Sequence, residues 1–431
     1  MSVSYIFPNE ILEIIFNFCD VYTLYQLSMV CKPFYLVAHD TLNKKSQHLF
    51  VSITKQKSEK FRERCKPLLS LHNSIFITYY NWIYGKCKKR KMYEMETRDH
   101  IVSYPRYKTL QMTKDTVWFC ANLHLSRHNY NDEKKKHILL AYNRAEDDIR
   151  KGKKMGTNNS FIQTITHCDD YILSGDENGF IKRWSIKSDE NRRNDLICSE
   201  IHNVKDDIIL IDATSQHIIT GSHSSIKILK YTDDKNGCTK ENEIFFESDK
   251  TLNTISFDPM GTKFAASSTD YPHDYLELSS FLIYDIEKSY QIIDKQCDAQ
   301  YGTLTCECLL WEDPHTILMC FRNSIKKMDI RTSEFVRTWD SSKYCASSCL
   351  SSDNRYTFMT GHDICVLWDQ RQSVAVQTYT VEQRLDREIY ALEFDNAHIY
   401  AATEYGLFEL NFTGRDHFDH KEIKKLFGNF Y

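Results

Sequence analysis

Two short stretches hold residue types at spacings that metal chemistry uses. "LTCECLL" carries Cys306 and Cys308 as a C-x-C pair, and "HLSRH" carries His124 and His128 four apart. Thiolates and imidazoles are zinc ligands, but a closed tetrahedral site takes four of them. No C-x-x-C exists in the chain, and no further ligand stands near Cys306 and Cys308. Both stretches read as strands. Period-two spacing then puts Cys306 and Cys308 on one face. It also puts His124 and His128 on one face but about 13 Å apart, too far for one ion. There is no G-x-S-x-G, no H-E-x-x-H and no P-loop, so no nucleophile, zinc-hydrolase or phosphate-cradle chemistry is indicated. The expectation is a protein that is not an enzyme, with no metal and no cofactor.

The fifteen cysteines are odd in number and sit mostly in apolar contexts, such as Cys120 in "VWFCAN" and Cys320 in "ILMCF". Reduced, buried thiols in an intracellular protein are the simple reading. The basic runs "KCKKRK", "KKK" at 134–136 and "RKGKK" at 150–154 read as solvated strands and loops. A net charge of -4 gives no general reason to expect a nucleic-acid partner.

These residues must be held by more than one unit, because 431 residues exceed one ordinary core. A composition of 42% hydrophobic and 26% charged residues fits a soluble globular class. No apolar run reaches the roughly 18 residues of a membrane span. Glu10 and Glu13 interrupt the opening apolar segment, and no basic region precedes it, so it does not read as a signal peptide. A cytoplasmic and/or nuclear location, without membrane attachment, is expected.

Three textures divide the chain. Residues 1–48 have helical apolar spacing, with Ile11, Leu12, Ile15, Phe16 and Cys19 on one stripe and Ile14 and Phe18 off it. Pro8 suits a helix first turn. A second helix carries Leu24, Leu27, Val30 and Cys31, and Pro33-Phe34 begins a third short piece. Residues 49–108 form a linker, a basic helical piece followed by the aromatic "IFITYYNWIYG". From 109 to 412 the period is two, with turn signals between short runs. A tail of 413–431 remains.

The strand-rich part repeats. "HCDDYILSGDENGFIKRWSI", "TSQHIITGSHSSIKILKY", "EDPHTILMCFRNSIKKMDIRT" and "SDNRYTFMTGHDICVLWDQR" share a strand, a stop, a turn and a second strand. Gly175, Gly221 and Gly361 fall at matching stops, the first two 46 residues apart. Repeats of this length signal a β-propeller, in which each blade covers the hydrophobic face of the last. Six repeats are legible. A seventh, "TLQMTKDTVWFCANLHLSRHNYN", looks like three strands without the turn. "GKCKKRKMYEM" is placed to complete the last blade and lock the ring.

These repeats resemble the WD40 family, with the literal Trp368-Asp369 in one of them. The family's turn Asp is replaced by Asn178 and Ser224 in the first two clear repeats, so its His–Ser–Asp network is expected to be incomplete. The pattern Pro8, Ile11-Leu12, Ile15, Leu24, Leu27, Val30-Cys31 and Phe34 resembles the F-box, with Phe7 in place of the usual Leu and no late Trp. The expected fold is a small all-α F-box domain followed by an all-β WD40 propeller of seven blades.

The combined resemblance implies the substrate-recognition subunit of an SCF (Skp1–cullin–F-box) ubiquitin ligase. Skp1, and through it a cullin–RING assembly, are the implied partners, contacted through the nine residues just named. An unidentified protein would bind the propeller. Receptors of phosphorylated segments converge arginines at the channel mouth, which makes Arg183, Arg322, Arg331 and Arg371 the candidates. The insertion Thr269–Ser280 is a candidate recognition loop. The alternative is a non-enzymatic WD40 scaffold not linked to ubiquitin transfer.

Overall fold

A computed structural model describes residues 7–19, 21–47, 61, 64–65, 72–94, 109–123, 136–144, 153–158, 160–188, 194–232, 237–246, 250–270, 278–296, 305–344, 346–353, 356–381, 388–403 and 405–413. His124 and His128 lie outside these residues, as do the tip of the 269–280 insertion and nearly all of the tail.

Helices α1 (Asn9–Phe18), α2 (Val21–Ser28) and α3 (Lys32–Gln47) come first. Pro8 stands one position ahead of α1, and its carbonyl accepts the N–H groups of Ile11 and Leu12, both at 3.1 Å. The third helix is longer than expected, at 16 residues. Pro33 sits at its second position, where a missing N–H costs no intrahelical bond. Phe34, Val37, Ala38 and Thr41 then repeat at helical spacing and are all buried. Helix α4 (His72–Tyr84) carries the aromatic stretch.

Seven four-stranded antiparallel sheets form a propeller. Blade 1 holds β2 (Leu110–Met112), β3 (Thr116–Leu123), β4 (Lys136–Asn143) and β5 (Lys153–Asn158). Blade 2 holds β6 (Ile162–Cys168), β7 (Tyr171–Asp176), β8 (Phe180–Ser188) and β9 (Asn194–Asn203). Blade 3 holds β10 (Leu210–Ala213), β11 (His217–Gly221), β12 (Ser225–Tyr231) and β13 (Cys238–Phe245). Blade 4 holds β14 (Lys250–Phe257), β15 (Lys263–Asp270), β16 (Leu278–Asp285) and β17 (Tyr290–Gln296). Blade 5 holds β18 (Cys306–Asp313), β19 (Thr316–Phe321), β20 (Ser324–Asp329) and β21 (Glu334–Asp340). Blade 6 holds β22 (Cys349–Ser352), β23 (Thr357–Gly361), β24 (Cys365–Asp369) and β25 (Ala375–Tyr379). Blade 7 holds β26 (Ile389–Phe394), β27 (His398–Thr403) and β28 (Gly406–Asn411). Its fourth strand, β1 (Lys88–Glu94), arrives from before blade 1 and pairs antiparallel with β28. The basic run therefore closes the ring, and its lysines lie on an outer edge strand, where charge discourages edge-to-edge pairing.

Four readings of the sequence are corrected. The stretch 109–131 supplies two described strands, not three; the other two of blade 1 lie at 136–158, where charged residues blur the alternation. The 269–280 insertion loses both ends to β15 and β16, which pair as far out as Asp270 with Leu278. Cys306 and Cys308 do not share a face, because a register shift falls between them. Cys306 joins the core of blades 4 and 5, and Cys308 packs toward that of blades 5 and 6. The turn carboxylate of blade 2 is Asp176, not the position of Asn178. It accepts the N–H groups of Asn178 at 3.1 Å and Phe180 at 2.9 Å, and the Ser160 hydroxyl.

The glycine stops have a common cause. A Cβ on Gly175 would lie 2.3 Å from Ile208 Cγ2, one on Gly221 2.3 Å from Leu252 Cδ2, and one on Gly361 2.7 Å from Leu392 Cδ2. The intruding side chain comes from the next blade at Gly221 and Gly361, and from the connection leading into the next blade at Gly175. The same covering runs through the ring: Leu318, Ile325 and Trp339 of blade 5 pack with Phe358, Val366 and Trp368 of blade 6.

The seam between blades 7 and 1 has a polar staple as well. The Arg144 guanidinium, 1% exposed, pairs with the fully buried Asp395 of blade 7. It also donates to the carbonyls of Thr113 at 2.9 Å and Lys114 at 3.0 Å in blade 1, and of Arg64 at 2.6 Å in the linker. Helix α4 is seated nearby. Trp82 stacks on Phe412 with ring centres 4.0 Å apart and donates to the Asn396 carbonyl at 3.1 Å. Tyr79 of the same helix packs against the core of α1–α3, so α4 touches both units.

Candidate functional sites: a helical face and a central channel

The nine residues expected on the helical contact surface divide into two groups. Leu12, Leu24 and Phe34 point inward with Phe16, Val37 and Ala38, and the Phe16 and Phe34 rings meet edge-on at 5.3 Å. Leu27 and Cys31 are half-buried against that core. Pro8, Ile11, Ile15 and Val30 face outward, with Ile11 41%, Ile15 44% and Val30 59% exposed. The structure adds Ile14, Phe18, Met29 and Leu36 to the outer face, with Phe18 84% exposed. Their signal was in the sequence, since Ile14 and Phe18 stood off the main stripe. A helix resting on two neighbours buries one stripe only, and Leu12 and Phe16, four apart, define it.

The second site is the channel through the ring, a cavity of about 540 Å³ lined by the innermost strand of every blade. Among the described residues its lining includes the carboxylates Asp169, Asp212, Asp258, Glu307 and Glu393, with His167 and Tyr390, and no Lys or Arg. Asp212 accepts the Thr166 hydroxyl at 2.9 Å and the Phe257 N–H at 2.8 Å, which ties blades 2, 3 and 4 together. Glu393 accepts from Arg64 and from Ser351, both at 2.9 Å.

The four candidate arginines do not converge, and none lines this channel. Arg183 lies within β8, with its guanidinium 5.5 Å from the centre of the Tyr171 ring. Arg331 and Arg371 each grip the aspartate two residues back, Asp329 and Asp369, at 2.6 Å. Those bonds hold Asp329 down at about 2 and raise both guanidinium groups. Both arginines stand at the turn from third to fourth strand. Arg322 stands at the β19–β20 turn, the opposite end of the blade, because successive antiparallel turns alternate ends.

One constellation looks catalytic at first sight. His362 Nδ1 lies 3.3 Å from the Ser348 hydroxyl and 3.4 Å from Glu388 Oε1. Both partners meet the same ring nitrogen, whereas a relay needs the base and the orienting acid on different nitrogens. The Ser348 hydroxyl also donates to the carbonyls of Gly361 and Ile389. The contact with Glu388 raises the imidazole above its usual range and lowers the carboxyl below its own. The buried thiols offer no better nucleophile. Burial pushes Cys65 up to about 11 and Cys120 up to about 12, and Cys320 and Cys349 well above the ordinary range. Such thiols stay protonated. Among the described residues no group of three metal-ligating side chains gathers, and no helix is long and apolar enough to cross a membrane.

A three-helix unit with an apolar outer face, joined to a closed ring of seven blades, defines the class: an F-box followed by a WD40-type propeller. Residues 6–46 match the F-box domain family. By architecture the chain is an F-box/WD-repeat protein. It is 26% identical over 166 residues to F-box/WD repeat-containing protein 4 (dactylin) of Mus musculus, and 25% identical over 166 residues to that of Homo sapiens. Each match covers 37% of this chain and 39% of the relative, so the chain matches about two fifths of the length of these relatives. Among solved structures, a chain of the mitotic checkpoint complex has a TM-score of 0.52 at 9% identity, covering 75% of this chain and 92% of that one. Chaetomium thermophilum Raptor has a TM-score of 0.54 at 14% identity, covering 80% and 30%. At such identities the likeness is one of fold alone.

Proposed function

We propose that this protein is the substrate-recognition subunit of an SCF ubiquitin ligase. The F-box binds Skp1 and so the cullin–RING assembly, and the propeller holds the protein to be ubiquitinated. The observation that carries the reading is the outer face of the helical unit, where Ile11, Ile14, Ile15, Phe18 and Val30 stand exposed together. A contiguous apolar face on a small domain marks a partner site, and helix-in-groove packing suits it. In this reading the chain performs no covalent step. Tethering the substrate beside a ubiquitin-charged enzyme raises its effective concentration and makes the transfer nearly intramolecular.

The burial pattern dictates the test. Leu12→Asp would put a charge into the domain core, so loss of binding would say nothing of the surface. Ile11→Asp/Ile15→Asp changes only the exposed face. Co-purification with Skp1 should be stoichiometric for the natural chain and at least 100-fold weaker for the double variant. The propeller's thermal melt should be unchanged. No complex with the natural chain would leave a WD40 scaffold whose helical start serves its own packing.

A further inference from the structure

We propose that Cys308 and Cys320 form an oxidisable pair in the wall of the channel, which a small organic disulfide closes to a protein disulfide and thiols reopen. This site is independent of the Skp1 contact. In blade 5, Cys306 on β18 pairs with Phe321 on β19. Regular alternation would then set Glu307 opposite Cys320. The register shift takes up one extra residue and sets Cys308 there instead. Directly opposite residues of an antiparallel pair have Cα atoms about 4.5–5.5 Å apart, inside the range of about 4.4–6.8 Å that a disulfide spans. Their Cβ atoms stand about 4.5–5.5 Å apart and a disulfide needs about 3.5–4.5 Å, so closure asks for about 1 Å of movement. Both side chains face the packing between blades 5 and 6, whereas Cys306 faces that of blades 4 and 5.

Access divides the roles. Cys308 is half-buried and lines the channel of about 540 Å³, so it meets the reagent. Cys320 is fully buried and acts only as the resolving thiol. After burial itself, the strongest influence raising the Cys320 thiol is Cys308, followed by Cys349. Cys349 is the rival partner, but it belongs to blade 6 and its Sγ donates to the carbonyls of Ile389 at 3.3 Å and Gly361 at 3.5 Å. In the first step Cys308 Sγ bonds to one sulfur of the small disulfide, whose S–S bond breaks. The expelled thiolate takes up the proton that Cys308 gave up. Cys320 Sγ then bonds to Cys308 Sγ, the mixed S–S bond breaks, and the second expelled sulfur takes the Cys320 proton. The protein thiols lose two electrons, and the reagent leaves as two thiols. A bridge drawn together from ladder spacing is strained, and strained disulfides are the reversible ones.

The experiment treats the full chain, natively folded by circular dichroism, with oxidised glutathione at about pH 8, near the ordinary thiol range. Remaining thiols are then blocked with N-ethylmaleimide. Cleavage after Glu307 and Glu312 puts Cys306, Cys308 and Cys320 on separate peptides for mass spectrometry. The peptide linking Cys308 to Cys320 should be at least tenfold more abundant than any other disulfide of Cys308, and dithiothreitol should remove it. Cys320→Ala should halt the reaction at the mixed disulfide on Cys308 and raise that adduct at least fivefold. Cys349→Ala should leave the link in place. A folded natural chain that forms no Cys308–Cys320 link would overturn the proposal. So would a Cys308–Cys349 link as the main product, or a Cys308–Cys320 link that forms only in urea.

Discussion

The helical unit and the propeller solve the covering of apolar surface in opposite ways. Of sixteen large apolar side chains exposed among the described residues, nine lie between Phe7 and Leu36 and six are spread singly over the whole ring. The ring covers each blade with the next and then covers the last with a strand borrowed from before the first. The helices bury one stripe around Phe16 and leave the rest bare. The difference teaches that bare apolar surface here is local to one unit, which is why the partner is assigned to the helices. Perturbing the ring's means of closure tests the comparison most severely.

The largest effect is expected at the seam. Arg144→Met removes the cation that Asp395 meets in a site with almost no solvent, and it orphans three carbonyls. Breaking a buried pair from one side costs about 3–5 kcal/mol. Urea unfolding should show that loss, and hydrogen exchange should show it first in blades 7 and 1. Arg144→Met/Asp395→Asn should recover at least half, because Asn keeps the acceptor that binds the Ala397 and His398 N–H groups. A variant as stable as the natural chain would mean that apolar cover alone closes the ring.

A middle-sized effect separates blade packing from blade folding. Gly221→Ala places a methyl 2.3 Å from Leu252 Cδ2, and Leu252 is itself 1% exposed. Overpacking of this kind costs about 1–3 kcal/mol. Leu252→Val/Gly221→Ala, which makes room, should be less destabilised than the sum of its single changes, since residues in contact couple. Strict additivity in denaturant melts would show that the glycine is needed for its own backbone and not for the neighbouring blade.

The parts of this structure that were legible in the sequence are those set by local period. The F-box helices, the glycine stops and the closing strand all show as spacing or composition within twenty residues. Blade 1 was half-hidden because long charged connections separate its hairpins, so no stop or turn signal marks β4 and β5. The site was less legible. Which of Ile11 and Leu12 faces inward depends on where α3 lies, and a single helix pattern does not contain that. The arginines were grouped without regard to the end of the blade at which each turn falls, and Arg322 stands at the opposite end from Arg331 and Arg371. The acidic channel escaped notice altogether, since each blade contributes one carboxylate or none and the set exists only after closure.

The smallest effect tests whether charge adds anything to blade-on-blade contact at the channel mouth. His362 reaches across from the β23–β24 turn of blade 6 to Glu388, which leads into blade 7, at 3.4 Å. Asp363 and Arg322 are the other charges near the imidazole, the first favouring its protonated form and the second opposing it. The raised imidazole stabilises the fold below its unfolded value of about 6.5 and loses that contribution as pH climbs through the folded value. The lowered carboxyl stabilises above its unfolded value of about 4.3 and loses the contribution as pH falls. The two conditions overlap between about pH 4.3 and 6.5. Glu388 is 45% exposed, so solvent holds the pair to about 0.2–1 kcal/mol. Glu388→Gln should therefore lower the urea midpoint most near pH 5.5 and least above pH 8. A difference that grew toward pH 8 would show Glu388 acting on Arg322 and not on the imidazole, and would leave blade 6 and blade 7 joined at this point by packing alone.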